Sequence, residues 1–237
     1  MKLLGIDSSG IVASTALFSD GVMLAEYTTN FKKTHSQTLL PMIEQIVKMT
    51  ETELKTIDAI AVAGGPGSFT GLRIGSATAK GLALALNKPI ISVPTLEGLA
   101  YNFFGCEAFI CPIMDARRSQ VYTGLYRFEG EKFEIISEQK AISIEELMED
   151  LEERKQKVIF LGDGVGVYRD FIEKNMKTEF LFAPKHLLMQ RAGAVCTRAE
   201  ELYKQGKIET AVEHKPDYLR LSQAERERAE KQPIKNT

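Results

Sequence analysis

One succession of elements occurs twice along the 237 residues, and this repetition limits the fold more than any other feature. Lys2–Ile6 is a short apolar run that ends in the polar turn Asp7-Ser8-Ser9-Gly10. Ile11–Phe18 and Val22–Tyr27 read as two further strands, joined by the hairpin signal Ser19-Asp20-Gly21. Ser36–Met49 then changes to helical spacing, with Leu39, Leu40, Ile43, Ile46 and Val47 on one broad face. Ile57–Ala63 is continuously apolar, as a parallel strand buried on both faces must be. A glycine-rich turn, a helix over about Thr70–Leu86, a strand at Pro89–Val93 and a helix at Leu96–Phe104 complete the first set. The second set begins with strands at Ala108–Met114, Gln120–Arg127 and Lys132–Ser137, the last two turned by Glu129-Gly130-Glu131. It continues with a helix at Ile144–Leu151, a strand at Val158–Leu161, and helices at Tyr168–Asn175 and Gln190–Gln205.

Two βββαβα units in tandem predict an α/β protein and resemble the actin-like ATPase (ASKHA, ribonuclease H-like) superfold of actin, Hsp70 and sugar kinases. Residues 1–104 would form the first subdomain, 105–215 the second, and 216–237 a charged tail containing the run Glu225–Lys231. A hydrophobic content of 44% and a charged content of 26% suit a soluble chain with a real core. The formal net charge of −2 disfavours a broad basic face that would bind nucleic acid unaided. Cys106, Cys111 and Cys196 form no CxxC pair, so reduced thiols and a cytoplasmic location are expected. The N-terminus reaches a charge at Asp7, too early for a signal peptide, and no apolar run is long enough to span a membrane.

The run Gly64-Gly65-Pro66-Gly67-Ser68-Phe69-Thr70-Gly71-Leu72-Arg73-Ile74-Gly75 stands where a buried strand becomes a helix. Glycine permits positive φ and close approach of the backbone to a ligand. Ser68 or Thr70 can cap the helix, whose free N–H groups and dipole favour an anion. Asp7, Ser8 and Ser9 could face this turn and add a carboxylate and hydroxyls for a metal-bound phosphate. Gly64, Gly65, Gly67, Ser68, Thr70 and Gly71, with Asp7, Ser8 and Ser9, are therefore candidates for an ATP or ADP site. A tight strand-to-helix turn would need the same glycines, and the residues alone leave both roles open. Neither a Walker loop nor a nucleophile elbow is present, since Gly-Lys-Ser/Thr and Gly-x-Ser-x-Gly are both missing here. The later cluster Gly162-Asp163-Gly164-Val165-Gly166 lacks the last glycine of a dinucleotide fingerprint and reads as a βα turn.

The twelve-residue turn, with Gly5-Ile6-Asp7-Ser8-Ser9, His35-Ser36-Gln37-Thr38-Leu39-Leu40-Pro41 and Pro216-Asp217-Tyr218-Leu219-Arg220, resembles the signature of the TsaB (YeaZ) family. The resemblance runs from Met1 to about Arg220 and implies an accessory subunit of bacterial tRNA threonylcarbamoyladenosine synthesis. It implies work beside the catalytic paralogue TsaD and the ATPase TsaE, which transfer threonylcarbamoyl from its adenylate to N6 of adenosine 37 in tRNAs reading A-starting codons. tRNA would be met only through the complex. In TsaD a His-x-x-x-His helix holds a metal; the corresponding positions here are Thr95 and Leu99, so no metal and no catalytic residue are expected. Thr and Leu cannot replace two imidazoles one helical turn apart. His35, His186 and His214 share no ligand spacing.

The helix after the turn carries Gly71, Gly75, Ala79 and Ala83 in one four-residue row, and Ala77, Gly81 and Ala85 in another. Such rows let a second helix approach closely. The preceding helix is apolar over more than half its circumference, through Leu39, Leu40, Met42, Ile43, Ile46 and Val47. These residues, with Gly71, Gly75, Ala79 and Ala83, are the expected interface for a TsaD-like subunit, or for a second copy when that subunit is absent. A charge at Gly75 or Ala79 is then expected to abolish pairing while the monomer stays folded. The rival readings are an independent ATPase or small-molecule kinase, a glycoprotease-like peptidase, and a binding module for another partner.

Overall fold

Residues 1–31 and 33–220 are described by the computed structural model, so the Glu225–Lys231 run lies outside the described residues. The first half contains β1 (Lys2–Asp7), β2 (Ala13–Ser19), β3 (Val22–Thr29), α1 (His35–Met49), β4 (Ala59–Gly65), α2 (Phe69–Leu86), β5 (Ile90–Pro94) and α3 (Thr95–Ala100). The second half contains β6 (Phe109–Arg117), β7 (Gln120–Glu129), β8 (Lys132–Ser143), α4 (Ile144–Arg154), β9 (Val158–Leu161), α5 (Gly164–Asn175), β10 (Phe180–Phe182) and α6 (Ala192–Lys204). Strand order is β3-β2-β1-β4-β5 in one sheet and β10-β9-β6-β7-β8 in the other, the same order read from opposite edges. In each, an antiparallel three-strand meander meets two parallel strands across its first strand. The duplicated order is the actin-like α/β architecture expected from the repeated elements.

Local chemistry explains most element boundaries. Asp20 and Gly21 sit at φ 50° and 80°, the left-handed pair that a two-residue hairpin requires between β2 and β3. Ser68 caps α2 by accepting the Gly71 N–H, and Asn87 ends that helix in the left-handed conformation at φ 54°. Ser143 caps α4 by accepting from Glu146 N–H. Two features escape the pattern. Helix α5 starts at Gly164, inside the second glycine cluster, and β10 has only three residues, too few to show a period.

The halves are joined by an exchange of helices. Helix α6 lies on the first sheet, where Ala192, Val195, Cys196 and Ala199 pack with Leu3, Ala16, Ala61 and Ile91. Helix α3 lies on the second sheet, with Leu96, Leu99 and Ala100, and Tyr101 just after them, packing with Ile110, Tyr122 and Phe128. Glycine makes the first crossing possible: a Cβ on Gly5 of β1 would stand 2.4 Å from the Cys196 sulfur and 2.8 Å from Ala192 O. A division at 104/105 separates the two sheets in sequence, yet each half gives its last helix to the other. Burial pushes the Cys111 thiol up to about 12 and raises that of Cys196 as well, so both behave as core residues. No helix among the described residues is long and apolar enough to cross a membrane.

Candidate functional site

The two turns named from sequence meet face to face at the ends of β1 and β4. Asp7 is 1% exposed, and its Oδ1 accepts the Ser9 N–H at 2.9 Å and the Ser9 hydroxyl at 2.6 Å. Burial pushes the Asp7 carboxyl up to about 6, while the two Ser9 bonds and the nearby His35 act in the opposite direction. The Ser8 hydroxyl donates to Gly71 O at 2.9 Å, and Ser68 N–H donates to Ser9 O at 2.7 Å. Gly65 N–H donates to Thr95 Oγ1 at 3.1 Å. The hydroxyls of Ser8, Ser9 and Ser68 and several of the N–H groups that sequence offers to a phosphate are thus bonded within the chain.

The glycines explain how the turns come so close. A Cβ would stand 2.3 Å from Ser9 O at Gly67, 2.0 Å from Ser8 O at Gly71, and 2.5 Å from Ser8 Oγ at Gly75. Neighbouring atoms lie where any larger side chain would have to be. This corrects the expectation for the row Gly71, Gly75, Ala79 and Ala83. All four are buried against their own sheet, Ala79 and Ala83 packing with Leu4, Ile43 and Val62, so a partner helix has no access to them. A charge at Gly75 or Ala79 would strike the core and unfold the monomer. Leu39, Met42, Ile43 and Ile46 are likewise core residues, and Val47 packs beside them, which leaves Leu40 at 55% exposure as the outward member of the set. The second row, Ala77, Gly81 and Ala85, is the one that faces out, with Leu84 beside it at 67% exposure.

The late motif Pro216-Asp217-Tyr218-Leu219-Arg220 returns to this place as a strap. Asp217 N–H donates to Gly64 O at 2.6 Å, and Tyr218 stacks on Phe69 with ring centroids 4.4 Å apart. The Arg220 guanidinium donates to Ala116 O on the second half. Between the halves lies a cleft of about 520 Å³, bordered by Ser9, Gly67, Thr70, Asp115, Arg117 and Asp163. Asp115 and Asp163 escaped sequence reading, although Gly162-Asp163-Gly164 is the second-half counterpart of the glycine-rich turn. Asp163 Oδ1 accepts Asp115 N–H at 3.1 Å; burial raises the Asp163 carboxyl, the Asp115 N–H bond acts against this, and the Asp115 charge adds to the rise. A second, more open groove of about 630 Å³ adjoins the cleft through Ile11, Ser68 and Thr70 and is flanked by Phe31, His35 and Ile74. His35 Nε2 lies 2.9 Å from Gly10 O, so that nitrogen carries the proton and ties α1 to the first turn.

Thr95 is fully buried with its hydroxyl on Gly65, and Leu99 is 1% exposed in the core, so both positions have structural work. His214 is fully buried on Glu209, at 2.9 Å. Among the described residues, no group of three or more His, Cys, Asp or Glu is placed to share an ion.

Two duplicated halves around a cleft, with glycine turns at its base and the last helix of each half exchanged, define an actin-like protein of the nucleotide-cleft architecture. The model of the family described as "TsaD: tRNA N6-adenosine threonylcarbamoyltransferase" matches residues 23–228. The tRNA threonylcarbamoyladenosine biosynthesis protein TsaB of Bacillus subtilis (strain 168) is 36% identical over 228 residues, covering 95% of this chain and 96% of that protein. The protein of the same description from Escherichia coli (strain K12) is 30% identical over 230 residues, with 93% and 95% covered. The structure of YeaZ from Pseudomonas aeruginosa superposes with a TM-score of 0.77 at 27% identity, covering 92% of this chain and 99% of that one. The chain belongs to the TsaB (YeaZ) family.

Proposed function

We propose that the chain is a non-catalytic subunit that acts in tRNA threonylcarbamoyladenosine biosynthesis by pairing with a TsaD-like transferase through the outer faces of α1 and α2. In this role it holds the transferase competent to move threonylcarbamoyl from its adenylate to N6 of adenosine 37, with a TsaE-like ATPase as third member, in the cytoplasm. When the transferase is absent, the same faces would pair two copies of the chain.

Gly81 is the observation that carries this reading. A Cβ there would meet nothing within 4 Å, so no contact among the described residues accounts for a glycine in the middle of α2. Glycine at such a place costs about 1 kcal/mol relative to alanine. A close helix from another subunit, seated on Ala77, Gly81 and Ala85 and flanked by the exposed Leu40 and Leu84, would compensate. The Ser8 hydroxyl on Gly71 O and the Ser68 N–H on Ser9 O support a brace between the turns in place of a nucleotide site.

Gly81→Arg tests the proposal, because the open space there lets the monomer fold. Its co-elution with the transferase should be lost, and reconstituted formation of modified tRNA should fall to the level seen without the chain. Normal co-elution would defeat the interface, and steady ATP turnover by the isolated chain would defeat the non-catalytic reading.

A further inference from the structure

The arginines among the described residues divide into two groups. Arg127, Arg154, Arg169, Arg191 and Arg198 each form an ion pair with a carboxylate of this chain. Arg73, Arg117, Arg118 and Arg220 have no carboxylate within ion-pair distance among the described residues, and all four belong to the neighbourhood of the cleft. Arg117 and Arg220 border it. Arg118 follows at the tip of the β6–β7 hairpin, and Arg73 lies 5.7 Å from the ring centre of Phe69 and 6.0 Å from that of Tyr218. A guanidinium is weakly hydrated, permanently charged and shaped for two phosphate oxygens, so a group of unpaired ones marks a surface suited to polyanions.

The hairpin tip adds an independent sign. Arg117, Arg118 and Ser119 are three successive residues in the left-handed region, at φ 63°, 57° and 57°. Non-glycine residues there carry strain of order 1 kcal/mol or more each, and strain of this kind gathers at functional sites. Three nearby carboxylates offset part of the charge. Asp115 accepts from Arg117 N–H at 2.8 Å, Asp163 from Asp115 N–H, and Asp217 from Gln139 at 3.1 Å. Four guanidiniums against three carboxylates leave this surface with a net positive charge. The exposed Tyr218 beside Arg73 adds the aromatic-plus-guanidinium pairing on which unstacked bases rest.

We infer that the arginine rim of this cleft, formed by Arg73, Arg117, Arg118 and Arg220, binds the sugar-phosphate backbone of an RNA within the assembled complex. The chain as a whole is mildly acidic, so the rim is a local contact that adds to the grip of a partner. This inference rests on the proposed pairing and makes the tRNA the substrate-side partner of the cleft.

The test is a salt titration of RNA binding by the full complex, with an unmodified tRNA transcript as probe. Arg117→Gly with Arg118→Gly removes two charges while fitting the left-handed backbone, and Arg117→Lys with Arg118→Lys keeps them. Each lost phosphate contact lowers the slope of log affinity against log salt by about 0.7 to 0.9. The glycine pair should therefore show a slope shallower by about 1.5 and roughly tenfold weaker binding near physiological salt. The lysine pair should restore most of both. Unchanged slope and affinity in an intact complex would overturn the inference. So would loss of co-elution with unchanged RNA affinity, which would assign the rim to an acidic protein, or full displacement of the RNA by ATP at matched phosphate concentration. If no complex assembles, the pairing reading fails and this inference falls with it, whereas an intact complex with an unchanged slope overturns this inference alone.

Discussion

The Arg198 guanidinium on α6 donates to the Glu97 carboxylate on α3 at 2.7 Å, with both side chains less than a tenth exposed. The two helices are the ones exchanged between halves, so this bond joins the sheets at the centre of the molecule. Arg198 also reaches Glu201 at 2.7 Å, and Glu201 accepts from the Tyr101 hydroxyl at 2.6 Å. Removing Glu97 leaves the buried Arg198 with the partly exposed Glu201 as its remaining carboxylate, one acceptor short of its full set. Glu97→Ala should cost up to about 3 kcal/mol in urea unfolding, less than a fully orphaned charge because Glu201 remains, and pairing it with Arg198→Met should recover a large part of that. A double variant as unstable as the single would show that the two residues do not act as a pair.

Asp7 gives the protein a stability that depends on pH. Its folded carboxyl, near 6, is raised above the ordinary value of 3.8. Between those values the folded chain keeps a proton that the unfolded chain has lost, so stability falls as pH rises through the window and is level above it. At about 1.4 kcal/mol per unit, the cost at neutral pH is roughly 3 kcal/mol. An asparagine in place of Asp7 would keep an oxygen for both Ser9 bonds but could not ionise. The stability of Asp7→Asn relative to the parent should grow by up to that amount between pH 4 and pH 7. A difference that stays constant across the range would refute the assignment.

Two glycines of one helix should answer alanine with opposite signs. Gly75→Ala places a methyl 2.5 Å from Ser8 Oγ and must turn that buried hydroxyl away from Gly71 O or shift α2, at a cost of about 1–3 kcal/mol. Gly81→Ala meets open space and should stabilise the isolated chain by about 0.5–1 kcal/mol. If the outer row of α2 seats a partner helix, Gly81→Ala should at the same time weaken co-elution with the transferase. Calorimetric melting of both variants checks the signs.

The strap depends on a stack. Tyr218 against Phe69 contributes about 0.5–1.5 kcal/mol beyond the area it covers. Tyr218→Ala should therefore speed hydrogen exchange of the Asp217 amide, which is bonded to Gly64 O, by about two- to tenfold. Global melting should change little, since Tyr218 is 36% exposed. An unaltered exchange rate would mean that the backbone bond alone holds the strap.

Sequence reading found the duplicated order of strands and helices because each depends on local period and on punctuation such as Asp20-Gly21 or Ser143 before α4. It found the glycine-rich turn because glycine is costly wherever geometry does not require it. It misassigned the row Gly71, Gly75, Ala79 and Ala83, since a four-residue row of small residues suits a partner helix and an underlying sheet equally well. Only the meeting of α2 with Ser8 and Val62 separates the two.

What the chain determined by itself was thus the set of elements, their order, and the places where backbone must come close to something. What it came close to was decided in three dimensions. The pairing of Ser8 with Gly71, of Asp217 with Gly64 and of Glu97 with Arg198 spans 63, 153 and 101 residues, respectively. Contacts at such separation leave no period in the sequence, because they depend on the crossing of α3 and α6 between the sheets. That crossing follows from packing of the whole core, and with it the assignment of each glycine row and each arginine to the inside or the outside.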